Sequence, residues 1–241
     1  MTTSGRELCI ALPTINELKN LQTLIPAILL QFKSVDILVI DDASSEGTQD
    51  YLNQLAEINS RVKTMYRPTR LGIGSAHIAA MNYAIECGYE FLITMDADLT
   101  HSLSDVSQLF NEIKNYDFVI GSRYLGKKNI IGWSKFRLFL TYSGHLLTSI
   151  FFLTTLDMSS GLRAYRVNKI PLKSLTLNCP VNYGFFFISA LIFLRSDYII
   201  GQIRAQLLNR KSGKSKMTLK LMFNGTLQLL LYGFRIKKLK T

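Results

Sequence analysis

The chain has 241 residues, 48% of them hydrophobic and 19% charged, which excludes a globally disordered protein and allows one large, well-buried domain. Its formal charge of +11 is uneven, because beyond Asp157 the only acidic residue is Asp197 while Lys and Arg continue to the end. Such a cationic half suits an anionic partner (nucleic acid, anionic membrane or phosphorylated substrate), and composition does not choose among them. The three cysteines, Cys9, Cys87 and Cys179, are scattered and lack CxxC spacing, which argues against a disulfide framework or zinc site and suits a reducing cytosol. The polar first residues lack the charged-then-apolar layout of a signal peptide.

In chain order, the apolar run 8–12 reads as a strand ended by Pro13. Asn16-Glu17 opens a helical pattern through Leu18, Leu21, Leu24 and Ile28. A β-branched run at 36–40 leads to Asp41-Asp42 and a Ser44, Ser45, Gly47 turn, after which Thr48 is placed to cap a helix carrying Tyr51, Leu52 and Leu55. Residues 62–66 form a third strand, followed by Gly72, Gly74 and a helix over 75–87. Residues 91–95 form a fourth strand, ending at Asp96-Ala97-Asp98, and another apolar run at 118–120 precedes Gly121-Ser122-Arg123-Tyr124. From about Lys127 the pattern becomes helical and apolar, then basic. Strand–helix alternation of this kind predicts an α/β fold with a mostly parallel sheet.

Three stretches approach membrane character, 138–156, 181–194 and 221–234, but the last two are short for a span. Lys135 and Arg137 precede the first, and Arg235, Lys237 and Lys238 follow the last. This layout predicts helices lying in a membrane interface, with cations meeting anionic headgroups. For 138–156 a buried core helix is the alternative.

Pro13–Glu17, Asp41-Asp42 and Asp96–Asp98 each follow a predicted strand, the sheet edge where open α/β folds bind ligands. Asp96 and Asp98 alternate along an extended segment, so their carboxylates can share a face and offer hard oxygen ligands to Mg²⁺ or Mn²⁺. The alternative is a solvated turn that caps the next helix. Asp42 can accept hydrogen bonds from a base or ribose, or belong to a turn. Gly72 and Gly74 lack a third dinucleotide-fingerprint glycine and suit a tight turn. Arg123 and the cluster Arg210, Lys211, Lys214 and Lys216 suit phosphates or a solvated surface. His101 is placed beside the acidic centre, either supporting it or as an ordinary structural histidine. HExxH, GxxxxGK[ST] and Ser-His-Asp patterns are absent, and no obvious general base accompanies the acidic pair. That lack is harmless if the attacking group is a phosphate, which is already ionised.

In order, Pro-Thr-Ile-Asn-Glu (13–17), Ile-Asp-Asp-Ala-Ser-Ser-Glu-Gly-Thr (40–48), Arg-Leu-Gly-Ile-Gly (70–74) and Met-Asp-Ala-Asp-Leu-Thr-His (95–101) resemble glycosyltransferase family 2, and within it the dolichyl- or polyprenyl-phosphate mannose synthases. The series continues through Gly-Ser-Arg-Tyr (121–124), Gly132-Trp133 with Arg137, Ser-Gly-Leu-Arg-Ala-Tyr-Arg (160–166) and Arg210 through Lys216. The resemblance implies one GT-A domain over 1–241, with an interfacial acceptor helix at 135–156 and a basic amphipathic tail at 217–241. It implies inverting transfer of mannose from GDP-mannose to a dolichyl or polyprenyl phosphate, with another sugar donor such as UDP-glucose, or another acceptor such as a sugar hydroxyl, as the alternative. Pro13, Ile15, Glu17, Ile40 and Asp42 would frame the base and ribose, and Asp96, Ala97 and Asp98 the diphosphate and its metal. Arg123, Arg210 and Lys216 would engage phosphates, and Arg137 the acceptor phosphate; Asp98, Arg123 and Arg137 are the catalytic candidates. The implied partners are a nucleotide-sugar donor, a lipid phosphate and a membrane surface on its cytoplasmic face, with a membrane-anchoring subunit as a further candidate and no nucleic acid. Ile15 stands where the family usually has Tyr, Ala43 for a commoner Gly and Ser102 for a commoner Pro, and an acidic residue near Ala190 is absent. A non-catalytic, membrane-bound relative is the reading of another class.

Overall fold

The computed structural model describes residues 6–126 and 129–208. Seven strands form one sheet in the order β3-β2-β1-β4-β6-β5-β7. They are β1 (Leu8–Thr14), β2 (Asp36–Asp41), β3 (Val62–Tyr66), β4 (Phe91–Thr94), β5 (Phe118–Ser122), β6 (Arg163–Arg166) and β7 (Ile200–Arg204). The helices are α1 (Leu18–Gln31), α2 (Thr48–Ile58), α3 (Ile73–Glu86), α4 (Leu103–Glu112), α5 (Lys135–Phe152), α6 (Leu172–Asn178) and α7 (Gly184–Leu194). Strand β6 runs antiparallel to both its neighbours, β4 and β5, and the other pairings are parallel.

Period-two alternation builds the two cores. Leu8, Ile10 and Leu12 of β1 join Leu21, Ile25, Val106 and Leu109 on one face. Cys9 and Ala11 face the other way, among Ala76, Ala80, Phe185 and Leu191 of α3 and α7. Pro13 does not end β1, which continues to Thr14 paired with β2. The Ala11 carbonyl accepts from Met95 N and the Thr14 carbonyl from Asp42 N. Alternate residues therefore face alternate neighbours, and Pro13 faces β4 beyond their last paired residue, where its missing N–H costs nothing. The cap of α2 also differs from expectation: Gly47 occupies it with φ of 78°, and Thr48 is buried as the first helical residue.

Strands β6 and β7 were not predicted. Both lie in the half that reads as helical and basic, and their Arg163, Arg166 and Arg204 mask the short strand pattern. The segment at 181–194 is not interfacial. Its α7 is apolar on every side because it is buried on every side, from Phe185 to Phe193. The position of the missing acid, Ala190, is fully buried there.

Helix α3 carries His77, fully buried between the rings of Phe185 and Phe186, at 5.1 and 5.0 Å. Burial, aided by the charge of Arg163, lowers its pKa from 6.5 to about 3. The folded protein thus binds fewer protons than the unfolded chain between those values, so stability falls as pH drops below about 6.5. The slope is at most about 1.4 kcal/mol per pH unit. Urea unfolding of the wild type should show this decline between pH 7 and 5, and His77→Leu should flatten it.

Candidate active site

The strand order places β1 between β2 and β4, so the chain winds from β1 outward to β2 and β3 and then crosses back to β4 on the other side, which opens a crevice at the carboxyl end of β1. A cleft of about 660 Å³ occupies that edge. Pro13, Thr14, Ile15, Glu17, Asp42 and Arg70 line one part, and Asp96, Ala97, Asp98, Thr100 and His101 the middle. Arg123, Trp133, Arg137, Ser159, Ser160, Gly161, Asn182, Tyr183 and Phe186 complete the wall towards α5 and α7. The three strand-end clusters therefore meet, as the sequence predicts. Ile40 is the exception: fully buried, it packs in the α3-side core and is not part of the cleft wall. Arg210, Lys216 and the tail at 217–241 lie outside the described residues.

The Asp96–Asp98 turn is not a helix cap. Ser102 caps α4 by accepting from Asp105 N. Asp98 is buried, and its Oδ1 accepts from Thr100 N at 3.1 Å and Thr100 Oγ1 at 2.6 Å. The Asp96 side chain is 40% exposed, with Oδ2 3.6 Å from His101 Nε2. Both His101 nitrogens are buried without a hydrogen bond among the described residues. A Cβ on Gly161 would come within 3.2 Å of Asp96 Oδ1, so glycine there leaves room for that carboxylate. Among the described residues no group of three or more His, Cys, Asp or Glu could hold a metal. Asp96 and Asp98, two carboxylates lining one cleft, fit an ion of the Mg²⁺ or Mn²⁺ kind, which completes its shell with substrate oxygens and water.

Asp41 and Asp42 have separate tasks. Asp41 is fully buried and holds the following turn by accepting from the Ser44 hydroxyl and from Gln49 Nε2 at 3.4 Å. Asp42 accepts from Leu71 N at 2.9 Å and Gly72 N at 3.0 Å, and pairs with Arg67 at 3.3 Å. It therefore shapes the loop before α3, and its side chain also lines the cleft. Gly72, at φ of 92°, and Gly74 do more than turn the chain: a Cβ on either would run into the Val181 or Pro180 carbonyl. Gly74 N donates to Val181 O at 2.8 Å, which seats the loop carrying Asn182 and Tyr183 over the start of α3.

Arg123 reaches the cleft already paired. Its Nε and one terminal nitrogen donate to the two oxygens of Asp157, each at 2.8 Å, its backbone N donates to the same carboxylate at 3.1 Å, and Ser159 Oγ also accepts from it. Burial opposes both charges, but the pairing outweighs it: the Asp157 carboxyl titrates below its usual range and the Arg123 guanidinium above its own. Arg123 thus offers fixed N–H directions rather than a loose positive charge. The sequence left Asp157 unassigned, although an isolated acid between Leu156 and Met158 in an acid-poor half was the available signal. The arginine of the 160–166 motif, Arg163, is fully buried and donates to the carbonyls of Met158, Ser160 and Phe186 and to Ser189 Oγ. Neutral acceptors meet its donors, and they tie the loop beneath Asp96 to α7.

Residues 9–172 match the model of glycosyl transferase family 2. The chain belongs to this family. Among curated relatives, this family 2 chain is 30% identical over 208 residues to the undecaprenyl-phosphate mannosyltransferase of Micrococcus luteus, covering 86% of each. It is also 30% identical over 218 residues to the polyprenol monophosphomannose synthase of Mycolicibacterium smegmatis, covering 87% of this chain and 80% of that one. Glucosyl-3-phosphoglycerate synthase of Mycobacterium tuberculosis, solved with Mn²⁺, UDP-glucose and phosphoglyceric acid, shares the fold. Its TM-score is 0.64 at 19% identity, covering 95% of this chain and 80% of that chain. The architecture is therefore the GT-A α/β fold of glycosyltransferases.

Proposed function

We infer that this glycosyltransferase moves mannose from GDP-mannose to a polyprenyl phosphate at a membrane surface, with inversion at the anomeric carbon. The observation that carries this reading is the wall of the cleft next to α5. Its polar lining is Arg123, Trp133, Arg137, Ser159, Ser160, Asn182 and Tyr183, and its two arginines are cations placed to meet an anionic acceptor. The carboxylates of the same cleft, Glu17, Asp42, Asp96 and Asp98, are the ones this reading gives to the donor and its metal. A hydroxyl acceptor needs a base there, whereas a phosphate arrives ionised and is met by cations. Both mannosyltransferase relatives carry names that point to a polyprenol-linked product.

In this reading Glu17, Asp42 and Ile15 frame the nucleoside. Asp96 and Asp98 hold a divalent ion, Mg²⁺ or Mn²⁺, which when bound offsets charge on the diphosphate. Arg123 presents N–H donors fixed by Asp157, and Arg137 orients the acceptor phosphate, its guanidinium 3.4 Å from the Trp133 ring centroid. The acceptor oxygen forms its bond to the anomeric carbon as the bond to the donor diphosphate breaks. Positioning and charge stabilisation supply the rate, with no proton to remove.

Helix α5 supports the membrane setting. Its inward side carries Thr141, His145 and the buried Thr148, with Phe152 packed against the core, while Phe136, Phe139, Leu146, Leu147, Ile150 and Phe151 are exposed. An outer face carrying this many exposed apolar residues matches a lipid surface rather than water, and Lys135 and Arg137 add headgroup contacts. Among the described residues no helix is long and apolar enough to cross a membrane, so peripheral attachment is the proposal. The free cysteines suit the cytosolic face. Mass spectrometry of products from GDP-mannose or UDP-glucose, divalent metal and polyprenyl phosphate vesicles tests the reading. Mannosyl phosphoryl polyprenol is expected; a glucosylated product or none at all refutes the donor or the reaction.

A further inference from the structure

Helix α5 buries only Thr148 fully and exposes half of its residues, yet the proposed reaction needs its lipid-facing surface held in register with Arg123. The contacts that join the two converge on one ring. Tyr124 follows Arg123 in the chain, and the Arg123 guanidinium lies 5.4 Å from the Tyr124 ring centroid. The imidazole of His145 stacks on the same ring, with centroids 3.6 Å apart and planes 5° from parallel. Tyr124 Oη donates to Thr141 O at 3.4 Å, one turn before His145, and Tyr142 meets the ring edge-on at 5.7 Å. Thr141, His145 and Thr148 recur at helical spacing on the inward side of α5. On the far side, the pairing with buried Asp157 fixes the orientation of Arg123.

We propose that Tyr124 is the joint between the acceptor helix and the phosphate-binding arginine, and that His145 is the positioning residue that closes it. The proposal rests on reading α5 as the lipid-acceptor helix. His145 touches neither substrate; its stacked ring sets where α5 lies relative to Arg123, and so where the acceptor phosphate lies relative to the donor. The chemistry asks only for a flat ring at this position, so phenylalanine should serve where alanine does not.

The test compares wild type, His145→Ala and His145→Phe for GDP affinity by calorimetry, KM and kcat for a polyprenyl phosphate in vesicles, and unfolding midpoint. His145→Ala is expected to lower kcat/KM for the lipid acceptor by about three- to tenfold, with GDP affinity unchanged, and His145→Phe to restore it. Wild-type acceptor kinetics in His145→Ala, no rescue by His145→Phe, or an equal loss of GDP affinity would overturn the proposal. Wild-type protein that transfers no sugar to any polyprenyl phosphate would sink the functional reading and this joint with it. Wild-type turnover with an unaffected His145→Ala sinks the joint alone.

Discussion

Asp157→Ala is expected to destabilise the protein by about 3–5 kcal/mol, because it leaves the Arg123 guanidinium largely buried without its counter-charge. The same carboxylate also accepts from Arg123 N, Ser159 N and Ser159 Oγ, so one truncation releases both the strand end and the loop that line the cleft. In a domain of this size that corresponds to a fall in thermal midpoint of about 10 °C, readable by calorimetry. Activity should suffer beyond stability. An arginine free to swing by an ångström loses alignment with the diphosphate, and kcat at a temperature where the variant is folded should drop about a hundredfold. Asp157→Asn retains one acceptor oxygen and should be milder in both respects. The pH dependence has its own sign. The Asp157 carboxyl is held below its ordinary value, so its stabilisation is present above about pH 4 and lost as pH falls through the lower, folded value. That acid window lies below the start of the decline assigned to His77, and the two variants separate them. An Asp157→Ala protein with wild-type midpoint and turnover would remove the pair from the account of the site.

Asp98→Asn should cost at least about a hundredfold in kcat while leaving the unfolding free energy within about 1 kcal/mol of wild type. Asparagine is the informative replacement because Asp98 has two tasks: its Oδ1 accepts the Thr100 amide and hydroxyl, and its charge is available to a metal. The amide oxygen keeps the turn and removes the charge, so a fall in turnover that excess Mg²⁺ or Mn²⁺ partly restores would report the ion site. Unchanged turnover would refute the metal role of Asp98.

The local half of this architecture was legible because its physics is local. The apolar runs at 8–12, 36–40 and 91–95 are strands buried on both faces, and 62–66 is the half-buried edge strand beside them. Acids follow three of these runs, Glu17, Asp41-Asp42 and Asp96 with Asp98, and carboxylates gathered at strand ends mark a ligand edge. Family-like pieces in the right order narrowed the chemistry further. Pro13 and Thr48 misled at element boundaries, where the side of the strand a residue faces, or the backbone angle of Gly47, outweighs residue preference.

The sequence by itself determined that an α/β sheet presents Glu17, Asp42, Asp96 and Asp98 at one edge, since strand period and strand ends are encoded in consecutive residues. Only the tertiary structure decided the partnerships. Arg123 meets an acid 34 positions away. Gly72 and Gly74 make room for a loop more than a hundred residues on. Two apolar-rich segments part company, α7 into the core and α5 onto the surface. Each of these depends on which elements the sheet order brings together, and a pattern confined to one segment carries no record of what will pack against it.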